Sequence, residues 1–152
     1  MLSLDDNYIF NGNEISMIVV AEGKMILSSF EDLSMDDIKL MLDSNIYKTA
    51  FIAKLILPRL QQRAQKGLKC ALVNVSSVLS KHPNVGVSCF YSACKAFVTS
   101  FTMALGFELI AANSDNSLID IQCLCPGPVE GLFSVSPAQV VRGSLTCLEY
   151  GE

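Results

Sequence analysis

The sequence predicts an α/β domain built on a parallel sheet. Three observations carry that expectation. Short apolar runs of strand length alternate with long helical patterns in the order strand, helix, strand, helix, strand, helix. The runs are continuously apolar, as strands covered on both faces are. Polar, Gly- or Pro-bearing stretches separate the elements, so each crossover is a separate helical unit.

Residues 1–13 are polar and read as a lead-in, leaving 14–152 as a single domain. Ile15-Ser-Met-Ile-Val-Val20 is the first strand, ended by Gly23. Ser34-Met-Asp-Asp37 is a helix-start signal. The Ser34 side chain can accept a free backbone N–H, and the two aspartates suit the positive end of the helix dipole. Residues 38, 41, 42, 46, 49, 52, 53, 56 and 57, all apolar but Thr49, continue that helix toward Gly67, its expected terminator, with Pro58 a point where it kinks or stops. Lys69–Val75 is the second strand. A loop with Pro83 and Gly86 leads to a second long helix, Tyr91 to Ala112, closed by the polar stretch 113–117. Ile119–Leu124 is the third strand, broken by Pro126-Gly-Pro128. Ser136-Pro137 is an N-cap and N1 pair for a last helix to about Tyr150.

The chain has 152 residues, of which 51% are hydrophobic and 17% charged. Globular chains carry roughly 25% charged residues, so much of this surface is expected to meet a partner or another part of a domain. The net charge of −4 supplies no basic field and argues against nucleic acid as a partner. No contiguous apolar run approaches the ~18 residues of a membrane span, and the acidic start, Met1 to Asp6, does not resemble a signal peptide. Six cysteines (70, 89, 94, 123, 125 and 147) form no C-x-x-C pair, and His82, a loop residue, is the lone histidine, so a zinc site is not expected. The cysteines read as reduced thiols of an intracellular protein.

Tyr91-Ser-Ala-Cys-Lys95 is the motif with chemical content. Four residues apart on a helix, the two side chains share one face. A phenol is a poor acid–base group at neutral pH, and an ammonium one turn away is expected to bring it toward the working range. A serine at the end of a neighbouring strand, in Asn74-Val-Ser-Ser77, can hold a substrate oxygen at the sheet edge where open α/β sheets take ligands. Ser76, Ser77 and Ser80 compete for that place. Alone, Y-x-x-x-K is weak, since an exposed tyrosine beside a solvated lysine gives the same string.

Asn74-Val-Ser-Ser77, Tyr91-Ser-Ala-Cys-Lys95-Ala-Phe-Val and Cys125-Pro-Gly-Pro-Val129, in this order, resemble the short-chain dehydrogenase/reductase family. Tyr91 to Leu109 is most similar to its steroid-dehydrogenase and very-long-chain 3-oxoacyl-CoA reductase branch. The resemblance covers about residues 14–130 and implies a partial Rossmann-like, doubly wound parallel sheet, its C-terminal half, in three αβα layers. It implies Tyr91 as catalytic acid/base and Lys95 as the group that binds the nicotinamide ribose and lowers the Tyr91 pKa. Ser77 would orient the carbonyl. Asn45, supported by Leu57-Pro58-Arg-Leu60, would help hold a relay water. Pro126 and Gly127 would form the turn beside the nicotinamide. The implied cofactor is NADP or NAD, and the implied substrate is a 3-oxoacyl-CoA or steroid-like ketone. The implied assembly is a homo-oligomer through helices 34–60 and 91–112, and the implied location is cytoplasmic or at the endoplasmic reticulum.

The chain also departs from that family. It contains no T-G-x-x-x-G-x-G turn, whose glycines let backbone approach a pyrophosphate. Its strand 15–20 matches the family's fourth, so an N-terminally truncated domain is expected. Val20-Ala-Glu-Gly23 replaces Asn-Asn-Ala-Gly, which puts the Glu22 carboxylate near the cofactor's place. The loop after Pro126-Gly127 is short. A non-catalytic pseudoenzyme or assembly subunit is the alternative expectation. Half a sheet would also leave an exposed edge, either 15–20 or 69–75.

Overall fold

Three strands pair in parallel in the order β1-β2-β3, with β1 at Met17–Val20, β2 at Cys70–Val75 and β3 at Ile119–Leu124. They belong to a computed structural model that describes residues 14–82, 88–112, 118–127 and 136–150. The polar lead-in 1–13, Pro83, Gly86, the stretch 113–117, Pro128 and Val129 lie outside the described residues. In register, Val20 sits beside Asn74 and Asn74 beside Cys123. The arrangement is the expected partial Rossmann-like α/β sheet.

The edge expectation divides. β2 is the central strand, so 69–75 is not an edge; its first five residues are all buried, and a strand covered on both faces takes neighbours on both sides. Among the described residues nothing pairs with the outer edge of β1. Val19 there is 53% exposed.

The first helical unit runs without interruption through three geometries: α1 at Met35–Met41, a π-helical turn at Leu42–Tyr47, and α2 at Lys48–Gln65. Its start is the predicted capping box. The Ser34 hydroxyl accepts the Asp37 N–H at 3.1 Å, and the Asp37 carboxylate accepts the Ser34 N–H at 3.2 Å. Pro58 lies inside α2 and does not end it. Ile56 and Leu60 on either side are almost fully buried, and their packing outweighs the single lost hydrogen bond. Gly67, at φ 75°, ends the unit by letting Gly67 N–H and Leu68 N–H return to Ala64 and Arg63 carbonyls.

α3 at Cys89–Ala112 begins two residues before Tyr91 and packs on β2 and β3. Its mean hydropathy reaches 1.4, so by length and composition alone it is apolar enough to cross a membrane, which counting contiguous runs had not revealed. Here it buries Ser92, Lys95 and Thr102 along with Val98 and Leu109. α4 at Pro137–Tyr150 starts with a reciprocal Ser136–Gln139 cap.

Alternation sets the layers. Val20, Cys70, Leu72 and Ile119 face α2 and α3, where Ala53, Ile56, Leu60, Ala64 and Leu109 complete the core. A fully buried Leu or Ile there contributes about 1.5–3 kcal/mol. On the opposite face, Ser144 of α4 donates to Gln122 at 2.7 Å. Glu14, ahead of β1, bridges Arg63 and Lys66 near the end of α2 at 3.0 and 2.9 Å. The Lys66 bond and charge, then Arg63, hold its carboxyl below the usual range, so this clamp is present at neutral pH and is lost as acid protonates it.

Candidate active site

The C-terminal ends of the parallel strands gather the candidate residues. β2 and the turn that follows it deliver four polar side chains to that edge, and the structure separates their tasks. Asn74, fully buried, donates to Thr102 Oγ1 at 3.0 Å. Ser76, also buried, donates to the Lys95 carbonyl at 2.8 Å and lies 2.7 Å from Thr99 Oγ1. Ser80 accepts from Thr99 at 3.0 Å. Both competitors of Ser77 are thus engaged in fastening α3 to the loop after β2. Ser77 is the serine that meets Tyr91. Its hydroxyl lies close enough to the phenol to favour the phenolate, and it accepts the Leu79 N–H at 3.2 Å, capping the 3-10 turn Val78–Ser80.

Tyr91 and Lys95 lie on one face of α3, with Lys95 Nζ 5.7 Å from the centroid of the Tyr91 ring. The ammonium is almost fully buried and donates to the Val75 carbonyl at 3.0 Å. One expectation is corrected here. The four-residue spacing predicted a phenol pulled down by Lys95. Burial instead pushes Tyr91 up, with the Ser77 hydrogen bond as the main opposing effect. Lys95 lies across the ring face, 5.7 Å from its centroid, and donates a hydrogen bond to the Val75 carbonyl. Burial likewise pushes the Lys95 ammonium down, while the thiols of Cys94 and Cys123 pull the other way. Removing Ser77's hydroxyl therefore sends Tyr91 further from neutrality. In Ser77→Ala, phenolate absorbance assigned by difference from Tyr91→Phe is expected to appear at higher pH than in the parent. An unmoved titration would show that Ser77 does not bond the phenol.

Asn45 is fully buried. It stands in the π turn, whose wider loop breaks the α repeat. Its amide nitrogen is within hydrogen-bonding distance of the Lys24 carbonyl at 2.8 Å, the Met41 carbonyl at 3.0 Å and Ser44 Oγ at 3.2 Å. Its Oδ1 is buried with no hydrogen-bond partner among the described residues. A buried acceptor left open normally costs about 1–3 kcal/mol, and such atoms cluster at sites that receive something.

Gly23, expected to end β1 and to close the altered Val20-Ala-Glu-Gly23 stretch, is not among the sequence's candidate site residues, yet it lies at their centre. A Cβ on Gly23 would stand 2.6 Å from Asn45 Oδ1 and 2.7 Å from Lys95 Nζ. Side chains from the π turn and from α3 therefore converge on one glycine backbone, a closeness that no local sequence signal encodes. Glu22, next to it, forms an ion pair with Lys48, so its charge is offset. Beside them is a cavity of about 380 Å³ lined by Glu22, Gly23, Lys24, Ser44 and Lys48 among others.

Pro126 accepts the Val78 N–H at 2.9 Å, which holds the end of β3 against the turn that carries Ser77. Gly127 faces open space. The exposed His82 donates its backbone N–H to Val78 O and takes no part in the cluster. Among the described residues no group of three or more His, Cys, Asp or Glu side chains is placed to hold a metal.

A nicotinamide nucleotide fits this donor set at one end. The ammonium of Lys95, the Tyr91 phenol and the bare Gly23 backbone offer polar contacts suited to ribose hydroxyls. For the diphosphate, the sequence holds no T-G-x-x-x-G-x-G turn.

The family profile for short chain dehydrogenase matches residues 8–136. The chain belongs to the short-chain dehydrogenase family. An uncharacterized short-chain type dehydrogenase/reductase of Sinorhizobium fredii is 33% identical over 120 residues, which cover 78% of this chain and 44% of the relative. Solved short-chain dehydrogenase folds superpose well. A bulky-bulky ketone specific alcohol dehydrogenase of Comamonas testosteroni has a TM-score of 0.75 at 22% identity, over 89% of this chain and 52% of its own. A Sphingobium yanoikuyae short-chain dehydrogenase, solved with NADPH, has 0.74 at 23%, over 89% and 54%. A 3-ketoacyl-(acyl-carrier-protein) reductase of Brucella melitensis, solved with NADH, has 0.66 at 23%, over 75% and 45%. This short-chain dehydrogenase chain spans about half the length of the relatives it matches.

Proposed function

We propose that the chain carries the proton-transfer half of an NAD(P)-dependent oxidoreductase acting on a ketone of the 3-oxoacyl-CoA or steroid type, and that alone it turns over weakly or not at all. The observation that supports this most is the meeting of four side chains from three segments: Ser77 on the Tyr91 phenol, Lys95 across its ring, and Asn45 with Lys95 at Gly23. Ser77 and Tyr91 hold the substrate oxygen between two hydroxyls. Tyr91 gives its proton to that oxygen as negative charge develops there. Lys95 stabilises the phenolate left behind and binds the ribose. Asn45 holds a relay water with its open oxygen, and Pro126 and Gly127 border the nicotinamide. A bound nicotinamide supplies the hydride.

The fit at only one end of the nucleotide defines the experiment. Reduced nicotinamide mononucleotide and NADPH are expected to bind with comparable, millimolar affinity in calorimetry, because this chain grips little beyond the riboside. Any residual ketone reduction is expected to vanish in Tyr91→Phe with binding retained. No binding of either nucleotide at millimolar concentration would overturn the reading.

A non-catalytic assembly subunit is the second reading. It is favoured by the exposed apolar residues Met103, Phe107 and Ile110 on α3 and by the open edge of β1, with Phe107 at 71% exposure. It predicts a homo-oligomer or a tight partner, and a stable monomer at micromolar concentration in ultracentrifugation would count against it.

A further inference from the structure

Cys123 lies in the third strand and Cys125 just past its end, both turned toward α3, and their sulfurs are 3.9 Å apart. Thr99 Oγ1 is 3.8 Å from each sulfur, and Ser80 Oγ is 3.9 Å from Cys125. Both residues are half-buried, so a small oxidant can reach them. The other described cysteines are differently placed: Cys70 and Cys94 are buried, and Cys89 is exposed. The proton-transfer scheme uses neither Cys123 nor Cys125.

We propose that Cys123 and Cys125 are a peroxide-sensitive dithiol that closes reversibly to an intrachain disulfide beside Ser77. One thiolate attacks hydrogen peroxide. An S–O bond forms, the O–O bond breaks, and the departing hydroxide takes a proton to become water. The second thiolate attacks the sulfenic sulfur, forming S–S and breaking S–O, and a second water leaves. Two thiols lose two electrons and one peroxide gains them, and a small dithiol reverses the exchange.

Geometry makes this bond labile. The sulfurs must close from 3.9 Å to about 2.05 Å. Alternate residues of an extended strand have Cα atoms about 6.6–6.8 Å apart, the far end of the range disulfides tolerate, and strained disulfides are the readily reduced ones. The backbone can yield because Cys125 lies just past the last residue of β3. Burial, then the neighbouring Cys125, pushes the Cys123 thiol up, so closure speeds as pH rises.

Closure reaches the candidate site through the backbone. Ser76 N–H is bonded to Leu124 O at 2.6 Å and Val78 N–H to Pro126 O at 2.9 Å. Drawing Cys125 toward Cys123 moves both carbonyls and the segment 76–78 that they hold, which contains Ser77. Thr99, bonded to Ser80 and close to both sulfurs, is disturbed as well.

The test uses mass spectrometry of the full chain after brief peroxide treatment and alkylation. The tryptic peptide 96–142 contains Cys123 and Cys125 and no other cysteine. It is expected to appear two hydrogens lighter and unalkylated, and to regain two alkylation sites after dithiothreitol. In Cys123→Ser and in Cys125→Ser, the remaining thiol is expected to be trapped by dimedone as a sulfenic acid. In the oxidised parent, the Tyr91 phenolate absorbance is expected to move. Free thiols, sulfinic acids or bonds to another chain at peptide 96–142 overturn the disulfide. An unmoved phenol overturns its link to the site. None of these readouts depends on nucleotide binding, so failure here and failure of the oxidoreductase reading are distinguishable.

Discussion

Asn45→Ala is expected to melt well below the parent, with a loss of about 2–4 kcal/mol. The substitution removes the donor that serves the Lys24 and Met41 carbonyls, both at hydrogen-bonding distance from its amide. It also opens a space where a fully buried side chain stood. Urea denaturation followed by circular dichroism reads the loss. Asn45→Asp keeps the size and removes the donors, and it places a carboxylate among acceptors. Its loss is expected to exceed that of alanine at neutral pH and to shrink in acid, where the protonated carboxyl can donate again. A loss under about 1 kcal/mol for Asn45→Ala would mean that the chain around Lys24 relaxes to water and that Asn45 does not fasten it.

Gly23→Ala is expected to damage the site more than the fold. The new methyl would stand 2.6 Å from Asn45 Oδ1 and 2.7 Å from Lys95 Nζ. Asn45 is held by several acceptors, whereas Lys95 is the end of a flexible chain, so Lys95 is the group that moves. Its bond to the Val75 carbonyl breaks, and a buried ammonium is left poorly placed. A stability loss of about 1–3 kcal/mol follows from such overpacking, together with loss of nicotinamide mononucleotide binding. A double-mutant cycle separates the two effects. Adding Lys95→Ala to Gly23→Ala should recover part of the stability and none of the binding. Unchanged binding in Gly23→Ala would remove Lys95 from the ribose contact.

The features legible in the sequence are those set by neighbours in the chain. The Ser34–Asp37 cap, the Gly67 terminator and the bounds of β3 depend on a few consecutive residues, and all stand where expected. The family motif, in order along the chain, places Ser77 and Tyr91 at one edge of the sheet, as the strand and helix boundaries implied. What sequence could not rank were effects arising between elements. Three serines follow β2 within seven residues of Asn74, and only the approach of α3 assigns Ser76 and Ser80 to Thr99 and leaves Ser77 to Tyr91. Asn45 looks like a weak helix former until the Lys24 carbonyl, 21 residues away, meets its amide. Spacing placed Lys95 beside Tyr91 and gave no measure of burial, which is the larger influence on the phenol.

The π turn at Leu42–Tyr47 has a consequence for how this chain can change. Each residue of an α-helix rotates the next side chain by about 100°. Deleting one residue from the turn would restore a regular helix and rotate everything beyond it by that angle. If α2 kept Ala53, Ile56 and Leu60 on the sheet, Ser34 and Met41 would swing away from their places; if α1 stayed, the core stripe of α2 would face solvent. Both ends are anchored, so the extra residue is locked in by its surroundings. Loss of the turn would therefore demand several compensating substitutions at once, on whichever side of it the helix was left to rotate.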